Sequence, residues 1–210
     1  MRDENKSARQ EQIETAAYEV LEQKGYAGAS MLGIARRARA SNETLYNWYG
    51  DKKGLFKALV TRNAAEVRSL LEAELSSGQD ALTILELLGP MLLELLLGNR
   101  AIALNRAAAA DPTGELGTAI SEAGRDSVLP LLVRVLEDAR DRRQLAFDRS
   151  DEAAGLYLDL LVGDLQIRRV IGRMPVPTAA FRETRAKLAV SRLSLLLSPE
   201  RSAPVSPPAD

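Results

Sequence analysis

The sequence predicts an all-α fold of about nine helices: a three-helix N-terminal unit built around a helix-turn-helix, then a larger helical domain. Three observations carry this. Aromatic residues make up only 4% of the 210 residues while Leu, Ala, Arg and Glu are abundant, a mix that favours helix over sheet. Apolar residues recur at three- and four-residue spacing along most of the chain. No segment alternates apolar and polar residues at period two, so no sheet is expected.

The elements follow in order. Residues 1–8 read as a disordered arm. A first helix spans about Arg9 to Lys24, with Ile13, Ala16, Ala17, Val20 and Leu21 on one face and Gly25 as its stop. Ser30 caps a short second helix with apolar positions Met31, Ile34, Ala35 and Ala38, and Ser41 caps a third that holds Leu45 and Tyr49 inward. Asp51 caps a fourth, with Leu55, Phe56, Leu59, Val60, Val67, Leu70 and Leu71 at helical spacing up to the break at Gly78. Five further helices are expected at about 80–97, 100–110, 115–143, 151–171 and 178–197, with kinks at Pro90 and Pro130. The tail 198–210 carries four of the nine prolines and is expected to be disordered.

Composition removes several classes of function. There is no cysteine and no histidine, which excludes disulfides, thiolate nucleophiles, histidine bases and zinc sites built on either residue. No catalytic residue, metal or cofactor is expected, and the chain does not read as an enzyme. The most apolar run, Leu82 to Leu97, is short and interrupted by Glu86, Pro90 and Glu94, and the N-terminus has no apolar signal core. A cytoplasmic protein with no membrane partner is therefore expected.

The second and third helices carry the function. A short helix, a tight turn and another short helix form a helix-turn-helix when a small residue sits where the two touch, and Ala35 suits that place. The outward face of the third helix is Asn42, Glu43, Tyr46 and Asn47. Asn pairs with adenine and Glu accepts from cytosine, so this face can read base edges. Net charge is only −1, so any attraction to phosphate must be local. Arg36, Arg37 and Arg39 precede the reading helix, and Lys52, Lys53 and Lys57 follow it.

At these residues the chain resembles the DNA-binding domain of TetR-family regulators. The matching features over about residues 9–60 are the alanines of helix one, Gly25-Tyr26, Ser30-Met31, Ile34-Ala35, Ser41, Thr44-Leu45-Tyr46, Tyr49, Lys52 and Leu55-Phe56. The run Gly163-Asp164-Leu165-Gln166-Ile167-Arg168-Arg169 resembles the AefR-like subgroup. One departure stands out: the family usually has glycine in the turn where this chain has Arg39, and a left-handed conformation there costs a non-glycine residue about 1 kcal/mol.

The resemblance implies a helix-turn-helix domain at 9–53 and an effector-binding and dimerisation domain at 54–197. It implies a homodimer bound to double-stranded operator DNA, acting as a repressor released by a small lipophilic effector. The alternative is a DNA-binding protein without an effector. The implied DNA-contacting residues are Ser30, Met31, Arg39, Asn42, Glu43, Thr44, Tyr46, Asn47, Trp48 and Lys52. For Trp48, packing on the fourth helix is the competing role. The implied effector pocket comprises Leu88, Met91, Leu92, Leu104, Asn105, Ala108, Leu129, Leu132, Tyr157 and Leu161. The last two helices would pair with their copies in a four-helix bundle through Leu156, Leu160, Gly163 and Ile167 and through Phe181, Leu188 and Leu195.

Overall fold

The computed structural model describes residues 2–199. They form α1 (Arg2–Gly28), α2 (Met31–Arg37), α3 (Asn42–Tyr49), α4 (Lys52–Ser77), α5 (Ala81–Leu97), α6 (Asn99–Ala109), α7 (Glu115–Ile120), α8 (Asp126–Asp141), α9 (Ser150–Leu161), α10 (Leu165–Val170) and α11 (Ala179–Leu196). There is no strand among the described residues. From residue 200 on, the tail expected to be disordered lies outside them.

The caps begin the helices where the sequence places them. Ser30 Oγ accepts from the Gly33 N–H at 3.1 Å, Ser41 Oγ from Thr44 at 3.0 Å and Asp51 Oδ1 from Gly54 at 2.7 Å. Each such cap stabilises its helix by about 1 kcal/mol. Asp80 and Thr178 do the same for α5 and α11. Helical geometry in α1 is interrupted at Gly25, where φ is 66° and ψ 175°.

Three boundaries differ from expectation. Helix α1 reaches back to Arg2 through the stretch read as an arm, because residues 2–24 contain neither glycine nor proline to stop it. The expected helix at 115–143 is divided by a π-helical turn at Ser121–Arg125, whose loosened carbonyls at Ala123 and Gly124 accept from Ser127 Oγ at 3.1 and 2.7 Å. The expected helix at 151–171 is divided at Gly163, whose φ of 51° lies in the left-handed region that breaks a helix. These two divisions make eleven α-helices of the nine expected.

Two cores result. The first joins Ile13, Ala17, Ile34, Ala35, Leu45, Leu55, Phe56 and Leu59. It does not stop at the helix-turn-helix: Leu104 and Ala107 of α6 and Leu116 and Ala119 of α7 are buried in it too. The second packs α5, α8, α9 and α11 around Leu85, Leu88, Leu93, Val135, Leu136, Tyr157 and Leu193. Against this buried interior, α10 with the residue that ends it and α11 present Ile167, Ile171, Phe181, Leu188 and Leu195 to solvent, with Leu195 65% exposed. Leu156 and Leu160, also expected on that face, are half-buried.

Candidate nucleic-acid interface and effector cavity

Helices α2 and α3 cross with Ala35 and Leu45 buried between them, which leaves Asn42, Glu43, Tyr46 and Asn47 exposed along one side of α3. Thr44 is half-buried and its hydroxyl lies 2.8 Å from Ser41 Oγ, inside the cap. Ser30 is exposed but its oxygen is engaged as the α2 cap. Met31 is buried in the first core and is not part of the exposed face. Trp48 is half-buried against the same core, its ring 6.5 Å from Tyr49 and edge-on to it. Arg39 is exposed and has φ 52°, the left-handed conformation that its place in the turn predicts.

The basic residues after α3 each have a partner within the protein. Lys52 Nζ donates to the carbonyls of Tyr26 and Ala29 at 3.0 and 3.1 Å and sits 4.2 Å above the Tyr26 ring. Lys53 pairs with Glu115 at 3.1 Å and Lys57 with Glu122 at 3.3 Å, tying the start of α4 to α7 and the π-turn. Both pairs are exposed and add little stability singly. A test separates the roles of Lys52. If its ammonium mainly holds the α1–α2 loop, Lys52→Met lowers the melting temperature by roughly 5 °C, because two carbonyls lose a charged donor. An unchanged melting temperature in a thermal scan returns Lys52 to phosphate binding alone.

Helix α1 packs against both α4 and α6. Glu14, almost fully buried, lies 3.4 Å from Arg62 of α4, and burial raises its pKa against the opposing pull of Arg62 and Arg100. Arg100 of α6 stacks over Tyr18 at 5.3 Å, and the Tyr18 hydroxyl donates to the Leu59 carbonyl at 3.2 Å.

Behind this junction lies a cavity of about 410 Å³ between α4, α5, α6, the π-turn, α8 and α9. It brings together Leu92, Leu104, Asn105, Leu129 and Leu132 of the expected pocket. Leu88, Met91, Ala108, Tyr157 and Leu161 do not line it. Leu88, Tyr157 and Leu161 are fully buried in the second core, where the Tyr157 hydroxyl donates to the Leu85 carbonyl at 2.8 Å. Met91 packs against that core and Ala108 against the first. Sequence reading missed Val60, Asn63, Arg125 and Gln166, which line the cavity with Asp159. Val60 and Leu104 belong to the first core and also form the cavity wall, and Ile120 packs against that core from the same wall.

Comparison with known proteins fits this geometry. The family model for bacterial regulatory proteins of the tetR family matches residues 13–59, and that for the C-terminal domain of AefR-like transcriptional repressors matches residues 83–193. The chain belongs to the TetR family. It is a DNA-binding transcriptional regulator rather than an enzyme. A TetR-family regulator from Mesorhizobium loti MAFF303099 is 25% identical, with a TM-score of 0.74 over 91% of this chain and 98% of that one. A TetR transcriptional regulator from Agrobacterium tumefaciens is 28% identical, with a TM-score of 0.69 over 90% and 94%. The regulator FadR from Bacillus subtilis, in complex with stearoyl-CoA, shares the fold at 19% identity, with a TM-score of 0.67 over 86% and 97%. No curated protein matches the chain.

The AefR-like run has a physical role in this TetR-family chain. Arg169 is buried without a carboxylate: Nε donates to the Leu97 carbonyl at 2.8 Å, Nη1 to the Met174 carbonyl at 2.9 Å and Nη2 to Asn99 Oδ1 at 2.9 Å. Gln166 Nε2 donates to the Leu96 carbonyl at 3.2 Å. The last carbonyls of α5, which no residue of that helix can satisfy, are thus capped from α10. Arg106 of α6 answers in the other direction, donating to the carbonyls of Val170 and Arg169. The 52° bend between α5 and α6 is held at this knot. No single described helix is long and apolar enough to cross a membrane.

Proposed function

We propose that the protein is a homodimeric repressor that leaves its operator when a small lipophilic effector enters the cavity between α4 and α9. The observation that carries this reading is the shared wall: Val60 and Leu104 belong at once to the cavity and to the core of the DNA-binding domain. Cores are close-packed, so a ligand that displaces these side chains displaces the helices they anchor. Two reading helices related by a two-fold axis must lie about 34–36 Å apart to enter successive major grooves, and a small shift of α4 spoils that spacing. A coupling of ~1–3 kcal/mol is enough for release.

Several features support the partners. The exposed apolar residues of α10 and α11 are what a second copy would cover. The cavity wall is mainly Leu, Val, Ala and Ile, and no aromatic ring lines it among the described residues. That wall suits an aliphatic body with a few hydrogen-bonding groups facing Asn63, Asn105 and Gln166. FadR of Bacillus subtilis, of like fold, is in complex with stearoyl-CoA.

In this reading Asn42 and Asn47 read bases, with Glu43 and Tyr46 beside them, and Ser30, Arg39, Thr44, Trp48 and Lys52 lie toward the phosphates. The test is selection of bound duplexes from a random pool, followed by a screen for compounds that release the selected duplex. Asn42→Ala and Asn47→Ala should each weaken the selected duplex by about 5- to 150-fold, from ~1–3 kcal/mol per base contact, and leave random duplex unchanged. Equal loss on both duplexes would give these residues a positioning role. Saturable release by a compound excludes the constitutive binder.

A further inference from the structure

We propose that Arg9 is a positioning residue for the reading helix: its guanidinium holds the α2–α3 turn in the left-handed shape that Arg39, standing where glycine is usual, does not favour by itself. The turn closes through two bonds, Ala40 N–H to the Ala35 carbonyl at 2.9 Å and Arg39 N–H to the Arg36 carbonyl at 3.2 Å. This pair of bonds ends a helix by way of a single left-handed residue, most often glycine. Here the residue is Arg39, with φ 52°. Its Cβ crowds the following carbonyl in that conformation.

The reversal leaves the carbonyls of Ala38 and Arg39 outside the helix, and one side chain from α1 takes both. Arg9 Nη1 donates to the Ala38 carbonyl at 3.3 Å, and Nη2 donates to the Arg39 carbonyl. Arg9 is itself fixed one turn along α1, where Nη1 also donates to Gln12 Oε1 at 2.8 Å. A planar guanidinium offers paired donors in a fixed fork, which suits two neighbouring acceptors as a lysine ammonium does not. The bonds form only while residue 39 keeps its left-handed conformation, so they stabilise the strained turn selectively. Ser41 caps α3 two residues later. The direction in which the chain leaves Arg39 therefore sets the angle at which Asn42 and Asn47 are presented. The proposal stands apart from the effector reading, since it concerns the free protein.

The test uses four full-length proteins: wild type, Arg9→Ala, Arg39→Gly and the double variant. Each is followed by thermal unfolding and by the emission of Trp48, the only tryptophan, which lies in α3. Arg9→Ala should lower the melting temperature by about 3–6 °C, and Arg39→Gly should raise it by about 2–4 °C. In the glycine background, Arg9→Ala should cost less than half as much. At a temperature where all four are folded, Arg9→Ala alone should shift the Trp48 emission, and adding Arg39→Gly should return it toward wild type. Global destabilisation by itself does not move the emission of the folded state. An equal cost of Arg9→Ala in both backgrounds overturns the proposal, and so does an unmoved Trp48 emission in Arg9→Ala.

Discussion

Arg169→Met is expected to destabilise the protein by about 3 kcal/mol or more, a fall of roughly 6–12 °C in melting temperature. Methionine keeps much of the volume but donates nothing, so the Leu97 and Met174 carbonyls and Asn99 Oδ1 lose their partners together. The buried Leu97 carbonyl left unpaired costs ~1–3 kcal/mol, the carbonyl of half-buried Met174 and the amide of exposed Asn99 add less because water reaches them, and removal of a desolvated charge returns part of the total. Arg169→Lys should rescue little, because one ammonium cannot point at three acceptors held by three different segments. Arg168→Met is the control, since Arg168 is exposed on the same short helix. Thermal unfolding of the three variants decides the matter, and a lysine variant as stable as wild type would show that charge, not the fork, is what this site needs. The loss should also reach assembly. Helix α10 carries Ile167 and precedes the exposed Ile171, so freeing it from α5 should weaken self-association measured by sedimentation.

The second large effect is at Gly89, in the middle of α5. A Cβ placed there would stand 2.5 Å from the Ala186 Cβ, 3.2 Å from its Cα and 3.3 Å from Tyr157 Oη. Helices α5 and α11 therefore approach backbone to backbone at this point, with no room for a methyl group. Gly89→Ala gains up to about 1 kcal/mol of helix propensity in isolation, yet here it should destabilise, because the steric cost of overpacking is ~1–3 kcal/mol and the first obstacle is the Ala186 methyl group, which cannot swing away from its helix. Gly89→Val should be worse and should yield little soluble protein. Ala186→Gly combined with Gly89→Ala moves the methyl group from one helix to the other and should recover most of the stability. Additive losses in that double variant, read from melting temperatures, would mean that the two positions do not share a contact.

The N-terminal domain was legible because its signals are local. Ser30, Ser41 and Asp51 are capping residues at the right offsets, and a cap reports its own helix regardless of what packs on it. The outward residues of α3 follow from one turn of geometry. The pocket was half legible for the opposite reason. Leu88 and Leu92 are four residues apart and share a helix face, yet Leu92 borders the cavity and Leu88 is buried in the core. Periodicity tells which face is covered, not whether neighbours fill the space in front of it. Lys52 shows the same limit for charge: its place after the reading helix suggests phosphate, and nothing local announces that it also donates to the carbonyls of Tyr26 and Ala29, 26 and 23 residues away in sequence. The break at Gly163 was hidden because apolar spacing continues across it, from Leu160 to Leu165. Arg39 was the instructive departure: the turn kept its left-handed form without its glycine.

The wall shared by the cavity and the first core restricts how such a protein can diversify. In the effector reading proposed above, Val60 and Leu104 cannot be retuned for a new ligand without also loosening the first core, which carries the helix-turn-helix. The opposite wall has no such duty: Leu132 belongs to the second core, Leu129, Leu158 and Val162 pack against it, and none of the four is part of the first core. Descendants that acquire different inducers are therefore expected to differ on α8 and α9 while holding Val60 and Leu104 constant. A library randomised at those four positions should change ligand preference at unaltered operator affinity, whereas one randomised at Val60 and Leu104 should mostly return proteins that no longer bind DNA.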